Sequence, residues 1–514
     1  MKYFLMLIQL WVGFLPICAS YPKANIWIIP SVESPQVYRN YAQTSKVHLE
    51  MARGEVEHIQ LVFPSKVNEE YRFTFDRYLK GIQISARELK KMNGYYDALV
   101  PFKNQLKCTD TLTAVWITVQ CPSRVPVGKY HQTIKIEGSK HFTIQLDYNV
   151  HHTTIPLKSS IPITVGVENR CMTEGLNDKE ADKERQRWVD FVLSYRMTPV
   201  FGTQITPERW QYEHSFSPWA WNDKRSIRLL NDRRYSCYML PFFTLSENEL
   251  ASLLCNIQKK GKLKESLFYI WDEPAYMEDY EQIKQKVNII RKYASDARIL
   301  TTFFCGPRNG PRKGDLYAVF DYLKHHIHVA TISLAPCKGN EEEVQHIRYK
   351  VPEGIDWWSY VCWQPGGNEP NFLLQMKGIQ QRAIMWRTWK NGSQGFLYWN
   401  CNIYHKRNPF TYITDMPHGD GILIYPGDIL GCKGPIASAR LERWRDGAEE
   451  MELLRLVEKN YSKEKADTLL NIVYSSPLSF IEKAHNIPFF RKELLDQLDK
   501  TIPIDYKLRI TDFI

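Results

Sequence analysis

The chain has no C-x-x-C pair among its 11 cysteines and no H-E-x-x-H among its 14 histidines. Scattered Cys and His argue against a structural zinc or iron–sulfur site, so no metal and no cofactor is expected. A P-loop, a dinucleotide fingerprint and a G-x-S-x-G elbow are also missing, which removes the usual signatures of nucleotide, nicotinamide and serine-hydrolase chemistry. There is no basic block. The 67 Lys and Arg against 57 Asp and Glu give a formal charge of +10 that is spread along the chain, and no RNA-binding aromatic motif accompanies it. Nucleic acid is therefore not an expected partner. Past residue 20 no stretch approaches the ~20 unbroken apolar residues of a membrane-spanning helix.

What is present begins with residues 1–20, "MKYFLMLIQLWVGFLPICAS": Lys2, an apolar run from Tyr3 to Leu15, then Cys18, Ala19 and Ser20. That layout predicts a cleavable signal peptide and an exported protein, periplasmic, cell-surface or extracellular. A lipid anchor on Cys18 is disfavoured by Ile17, which stands where a small residue is expected. Cys108 and Cys121 are spaced to pair across a strand turn, whereas scattered cysteines in so large a chain mostly serve as buried apolar fillers.

Two rhythms divide the rest. Over 21–157, runs such as "KVHLEMARGEVEHIQLVF", "LTAVWITVQC" and "HFTIQLDYNVHH" alternate with period two between turn residues, which predicts an accessory β-sandwich. Over 158–460, strand-like runs alternate with amphipathic stretches. The strands are expected at 161–167, 197–202, 236–243, 267–272, 297–304, 328–334, 355–361 and 395–400, with helices at 178–195, 247–260, 276–294 and 372–390 among others. Eight βα repeats in about this length predict an α/β fold, a (β/α)8 TIM-like barrel. Pro435 is expected at the start of a last long helix, with Ile436, Leu441, Met451, Leu453 and Leu454 on its apolar side. Residues 461–514 read as a helical extension.

The stretch "LFYIWDEPA" at 267–275 sets Asp272 and Glu273 side by side after a strand. Barrel enzymes carry catalytic groups at such C-terminal strand ends, and Pro274, unable to donate to a ladder, should stop the strand there. The competing explanation is that D-E-P caps the next helix, where acids are favoured by the dipole. Two neighbouring carboxyls cannot easily flank a glycosidic bond, as a pair from different strands does. They suit hydrolysis in which a 2-acetamido group of the substrate is the nucleophile: Asp272 orients the amide and Glu273 is acid, then base. Glu273 would need a raised pKa, towards which Asp272 and the apolar Trp271 both push.

The chain has 15 tryptophans and 29 tyrosines, with clusters in "DWWSYVCW" at 356–363 and "FLYWNCNIYH" at 396–405. Sugar rings stack on such faces, so Trp271, Trp358, Tyr398 and Trp399 are candidate substrate-binding residues, with Asn400, Asn402 and His405 as hydroxyl partners. Asp420, between two glycines in "GDGILIYPGD", reads as a sugar-positioning loop or as a tight turn. Taken together and in this order, "YIWDEP", "GFLYWNCNIY", "GDGILIYPG" and "GPIASARLERWRDGAEEMELL" resemble glycoside hydrolase family 123 and the wider group of bacterial barrel proteins sharing its C-terminal signature. The resemblance implies a retaining β-N-acetylgalactosaminidase using substrate-assisted catalysis, with Asp272 the acetamido stabiliser, Glu273 the acid/base, a glycan as substrate and no cofactor. The alternatives are a glycosidase for another hexose or hexosamine, with a second acid such as Asp420, and a surface glycan-binding protein without turnover.

Overall fold

The computed structural model describes residues 26–76, 81–206, 211–404, 408–409 and 418–501. The expected signal at 1–20, with Cys18, and the candidate His405 lie outside these described residues.

Ten strands occupy the N-terminal part: β1 Trp27–Pro30, β2 Lys46–Arg53, β3 Glu55–Pro64, β4 Glu70–Phe75, β5 Gln83–Met92, β6 Tyr95–Pro101, β7 Gln105–Lys107, β8 Leu112–Cys121, β9 Gly128–Glu137 and β10 His141–Thr154. They form two five-stranded sheets, ordered β1-β3-β8-β5-β6 and β2-β10-β9-β4-β7. Alternation explains their association. Ile134 and Ile136 of β9 with Ile144 and Leu146 of β10 meet Leu61 and Phe63 of β3 and Val115 and Ile117 of β8 in one core. Cys108 and Cys121 do not pair; both are buried free thiols. They lie beyond and at opposite ends of β8, and a strand of that length spans roughly 30 Å, far outside disulfide reach.

The second sheet has nine strands: β11 Ile163–Glu168, β12 Thr198–Thr206, β13 Gln211–Ser215, β14 Tyr238–Met239, β15 Ser266–Trp271, β16 Arg298–Phe303, β17 Val329–Ser333, β18 Asp356–Val361 and β19 Gly395–Tyr398. Their order is β13-β12-β11-β19-β18-β17-β16-β15-β14, parallel except for the β12–β13 hairpin. The sheet curls into a nearly closed, barrel-like form: Phe216 N, just past β13, donates to Met239 O of β14 at 2.6 Å, while β12 and β14 share no ladder. Each expected strand run holds one parallel strand. The run 236–243 keeps only two residues of ladder, because Pro241 follows and cannot extend it.

Helices follow the strands: α1 Asn169–Thr173, α2 Asp178–Ser194, α3 Lys224–Leu229, α4 Glu247–Lys259, α5 Met277–Tyr293, α6 Ala318–Leu323, α7 Glu341–Lys350, α8 Gly378–Lys390 and α9 Ala439–Asn460, then α10 Lys463–Leu470 and α11 Ile487–Asp499. Pro435, expected in the first turn of α9, instead begins the short strand Pro435–Ala437 before it. Ser438 is the cap, its Oγ accepting from Leu441 N at 3.1 Å.

Helix α9 is buried on its charged side as well as its apolar one. Asp446 accepts from Arg382 of α8 at 2.9 Å and meets His58 of β3 at 2.7 Å, and Glu450 accepts from Arg382 at 2.6 Å. Arg491 of α11 joins Glu55 and Glu57 of β3 at 2.8 and 2.9 Å. This ionic seam holds the N-terminal sheets, α8, α9 and α11 together. Its members are buried, so each charge depends on the partner that the fold brings to it.

Candidate active site

The end of β15 builds the centre of the site. Asp272 and Glu273 stand just past its last residue, at the C-terminal mouth of the barrel-like sheet. The helix-cap explanation does not hold for them. Helix α5 begins only at Met277, and Asp279 does the capping, its Oδ2 accepting from Ala275 N and Tyr276 N at 2.9 Å each. Glu273 has φ +45°, the left-handed region that a non-glycine residue adopts at a cost. Its N–H donates to Thr302 Oγ1 of β16 at 2.9 Å, which helps hold that turn.

The two carboxylates have different surroundings. Asp272 Oδ1 accepts from the Tyr269 hydroxyl and from Thr302 Oγ1, both at 2.7 Å. The Tyr269 ring is in turn stacked on His214 of β13, centroids 4.4 Å apart. Asp272 is thus an oriented acceptor. Glu273 Oε1 accepts from the Tyr360 hydroxyl of β18. Burial of its flanks, then the charge of Asp272, push its pKa up to about 7, against the lowering effects of the Tyr360 hydroxyl and the Arg308 charge. The carboxyl itself opens onto the cavity and is reached by solvent. A carboxyl poised near neutrality beside a fixed carboxylate matches the division into acid and stabiliser.

A cavity of about 450 Å³ surrounds this pair, room for a sugar and part of its neighbour. Gly166, Val200, Gly202, Met239 and Leu397 form apolar wall, and Tyr398, Trp399 and Asn400 line the β19 side. Gly166 is required there: a Cβ would lie 1.8 Å from Trp399 O. Asp420 sits behind the platform, its Oδ1 accepting from Trp399 Nε1 at 3.0 Å and from the Tyr398 hydroxyl at 3.3 Å. Burial raises the Asp420 pKa to about 6. Among the described residues no group of three or more His, Cys, Asp or Glu is arranged to hold a metal.

Three candidates are elsewhere, and a fourth, Tyr398, borders the cavity but is fully buried with its ring against Phe372. Trp271 does not line the cavity. The ladder between β15 and β16 slips between Tyr269 and Trp271, and this bulge turns the indole outward, where Lys286 of α5 lies 5.5 Å above it. Trp358 is wholly buried in the barrel interior with its indole over Gly395, whose added Cβ would be 2.2 Å away. Tyr360, two residues on and on the same face, is the one that reaches Glu273. Asn402 is also buried, its amide clasping the end of β11: Oδ1 accepts from Glu168 N at 2.8 Å and Nδ2 donates to Glu168 O at 3.2 Å.

Sequence reasoning missed Tyr269, Thr302, Tyr360, His214 and Arg308. For Tyr360 a signal existed, since period two puts it on the face of Trp358 and nearer the strand end. Thr302 and His214 belong to other strands, and nothing local marks them.

An oriented carboxylate, a second carboxyl poised near pH 7 and an aromatic-walled cavity define a hydrolase that acts on sugars. The model of the glycoside hydrolase 123 catalytic domain matches residues 183–457, and the chain belongs to that family; it is a glycoside hydrolase. Its fold is similar to that of a family 123 glycoside hydrolase from Clostridium perfringens that acts on glycolipid glycans, with TM-score 0.62, 13% identity, and 95% of this chain and 100% of that one covered. A Bacteroides ovatus GH5 xyloglucanase aligns at TM-score 0.25 and 10% identity over 79% of this chain and 98% of that one. A GH2 β-galacturonidase from Eisenbergiella tayi aligns at 0.35 and 8% over 77% and 69%. No curated protein sequence matches the chain.

Proposed function

We propose that the protein is an exported, retaining exo-glycosidase that removes terminal β-linked N-acetylgalactosamine by substrate-assisted catalysis. The observation that carries this is the adjacency of Asp272 and Glu273 at one strand end, with the Glu273 pKa pushed up to about 7. In the first step the substrate's acetamido oxygen bonds to the anomeric carbon as the glycosidic bond breaks, and Glu273 gives its proton to the departing oxygen. Asp272, fixed by Tyr269 and Thr302, accepts the amide N–H and stabilises the positive charge of the cyclic intermediate. Water then attacks the same carbon, Glu273 takes its proton, and the acetamide re-forms with overall retention. Trp399 offers the stacking wall and Asn400 a hydroxyl partner, while the buried Tyr398 shares Asp420 with the Trp399 indole. On the same proposal the nine-stranded sheet is a (β/α)8 barrel with an unsealed β12–β14 seam, and residues 21–157 are an accessory β-sandwich.

Glu273→Gln should abolish hydrolysis of an unactivated β-N-acetylgalactosaminide. Asp272→Asn should lower kcat by roughly 100-fold or more, the size seen when one transition-state stabiliser is lost. An N-acetyl thiazoline should inhibit the wild type. Near-normal rates in both variants would rule the mechanism out, and faster turnover of the glucosamine epimer would reassign the sugar.

A further inference from the structure

We propose that the acceptor side of the cavity takes an anionic leaving group: a uronic acid or a sulfated sugar to which the terminal 2-acetamido sugar is attached. The inference rests on the glycosidase reading of Asp272 and Glu273. It concerns the part of the substrate that leaves rather than the part that is cleaved off.

The strand order divides the cavity mouth. On the β19–β11–β12 side lie Trp399, Asn400, Gly166 and Gly202. The opposite side is made by the loops after β15, β16 and β18, with Glu273, Arg308 and Trp363. The general acid delivers its proton to the glycosidic oxygen, so the leaving group lies on the Glu273 side. What that side offers the next sugar is therefore legible in the loop after β16.

That loop, 304–317, carries three cations, and their situations differ. Arg312 is neutralised: its Nε donates to Asp315 at 2.9 Å and its guanidinium also pairs with Asp321. Lys313 is exposed and outside the cavity. Arg308 lines the cavity, and its backbone N–H donates to Ala275 O at 2.6 Å, tying it to the turn that holds Glu273. Its side chain is exposed, and among the described residues no carboxylate forms an ion pair with it within 4.0 Å. Arg308 and Glu273 line the same cavity. An exposed guanidinium at a cavity rim, without a carboxylate partner among the described residues, can take a planar carboxylate or a sulfate in paired hydrogen bonds.

An aromatic surface completes the subsite. Trp363 is 40% exposed and lines the cavity, and Phe304 supports it in a near-parallel stack, 20° between planes and 6.3 Å between centroids. A large exposed indole braced from behind is a platform for the apolar face of a sugar ring. Cation and indole side by side fit one acidic sugar unit.

The test is the ratio of kcat/KM values for three disaccharides bearing the same terminal β-linked 2-acetamido sugar on a uronic acid, a sulfated hexose or a neutral hexose. An anionic acceptor should be preferred by roughly tenfold or more, the value of one charge-assisted hydrogen bond. The ratio should collapse towards one in Arg308→Gln, recover in part in Arg308→Lys, and shrink with added salt. Whichever anion is preferred identifies the source. A ratio near one in the wild type, or one unchanged in Arg308→Gln, overturns the inference, while Glu273-dependent hydrolysis of the neutral disaccharide would still uphold the functional reading. Absence of turnover on all three and on an aryl β-N-acetylgalactosaminide overturns both.

Discussion

Replacing Tyr360 by Phe should move the basic limb of the pH–rate profile upward. The Tyr360 hydroxyl donates to Glu273 Oε1 and so stabilises the ionised carboxylate. Removing that donor favours the protonated form, and the pKa of Glu273 rises from its present position at about 7. A hydrogen bond to a charged group contributes about 1.5–3 kcal/mol, which is roughly one to two pH units. Because the Glu273 carboxyl opens onto the cavity, water can replace part of the lost bond, so the lower end, about one unit, is expected. The acid must be protonated to work, so activity is present below its pKa and lost as pH rises through it. The assay is kcat/KM against pH with an unactivated aryl glycoside, since that parameter reports the free enzyme's groups. Asp272→Asn, measured on its residual activity, supplies the opposite sign: removing the neighbouring charge should bring the limb down. A Tyr360→Phe limb that stays near pH 7 or falls would refute the assignment of Glu273 as the proton donor held by this hydroxyl.

Two further predictions concern stability. Arg382→Ala leaves buried Asp446 with His58 and buried Glu450 with Arg491 at 3.4 Å as their remaining ionic partners, and should cost about 3 kcal/mol in a denaturant melt; a loss below about 1 kcal/mol would show that the ionic seam is not needed. Gly395→Ala drives a methyl group into the Trp358 indole and should destabilise by about 1–3 kcal/mol. If the melt is unchanged, the indole has room that the geometry denies it.

The barrel strands were legible because each is a short β-branched or aromatic run bounded by turn residues, and the helix at Met277–Tyr293 because its apolar residues recur every three to four positions. Residues whose placement depends on a neighbouring strand were not legible. Trp271 reads as a pocket wall until a bulge turns it outward. Trp358 reads as a platform, but it lies one layer too deep. Nothing in the sequence pairs the charges of Arg440, Glu442, Asp446 and Glu450 with partners, and they are buried against residues as far along the chain as His58.

Sequence alone was enough to pick out Asp272 and Glu273, to put them at a strand end beside Pro274, and to argue from their adjacency for an acetamido sugar. Those conclusions depend on residue types in immediate succession, which the chain carries directly. The different chemistry of the two acids was decided in three dimensions. Tyr269 and Thr302 fix Asp272, while Tyr360 and Arg308 act on Glu273. Tyr269, Thr302 and Tyr360 lie on β15, β16 and β18, and Arg308 on the loop after β16. Only the curling of the sheet brings their side chains to one mouth, and a pKa depends on what is near in space.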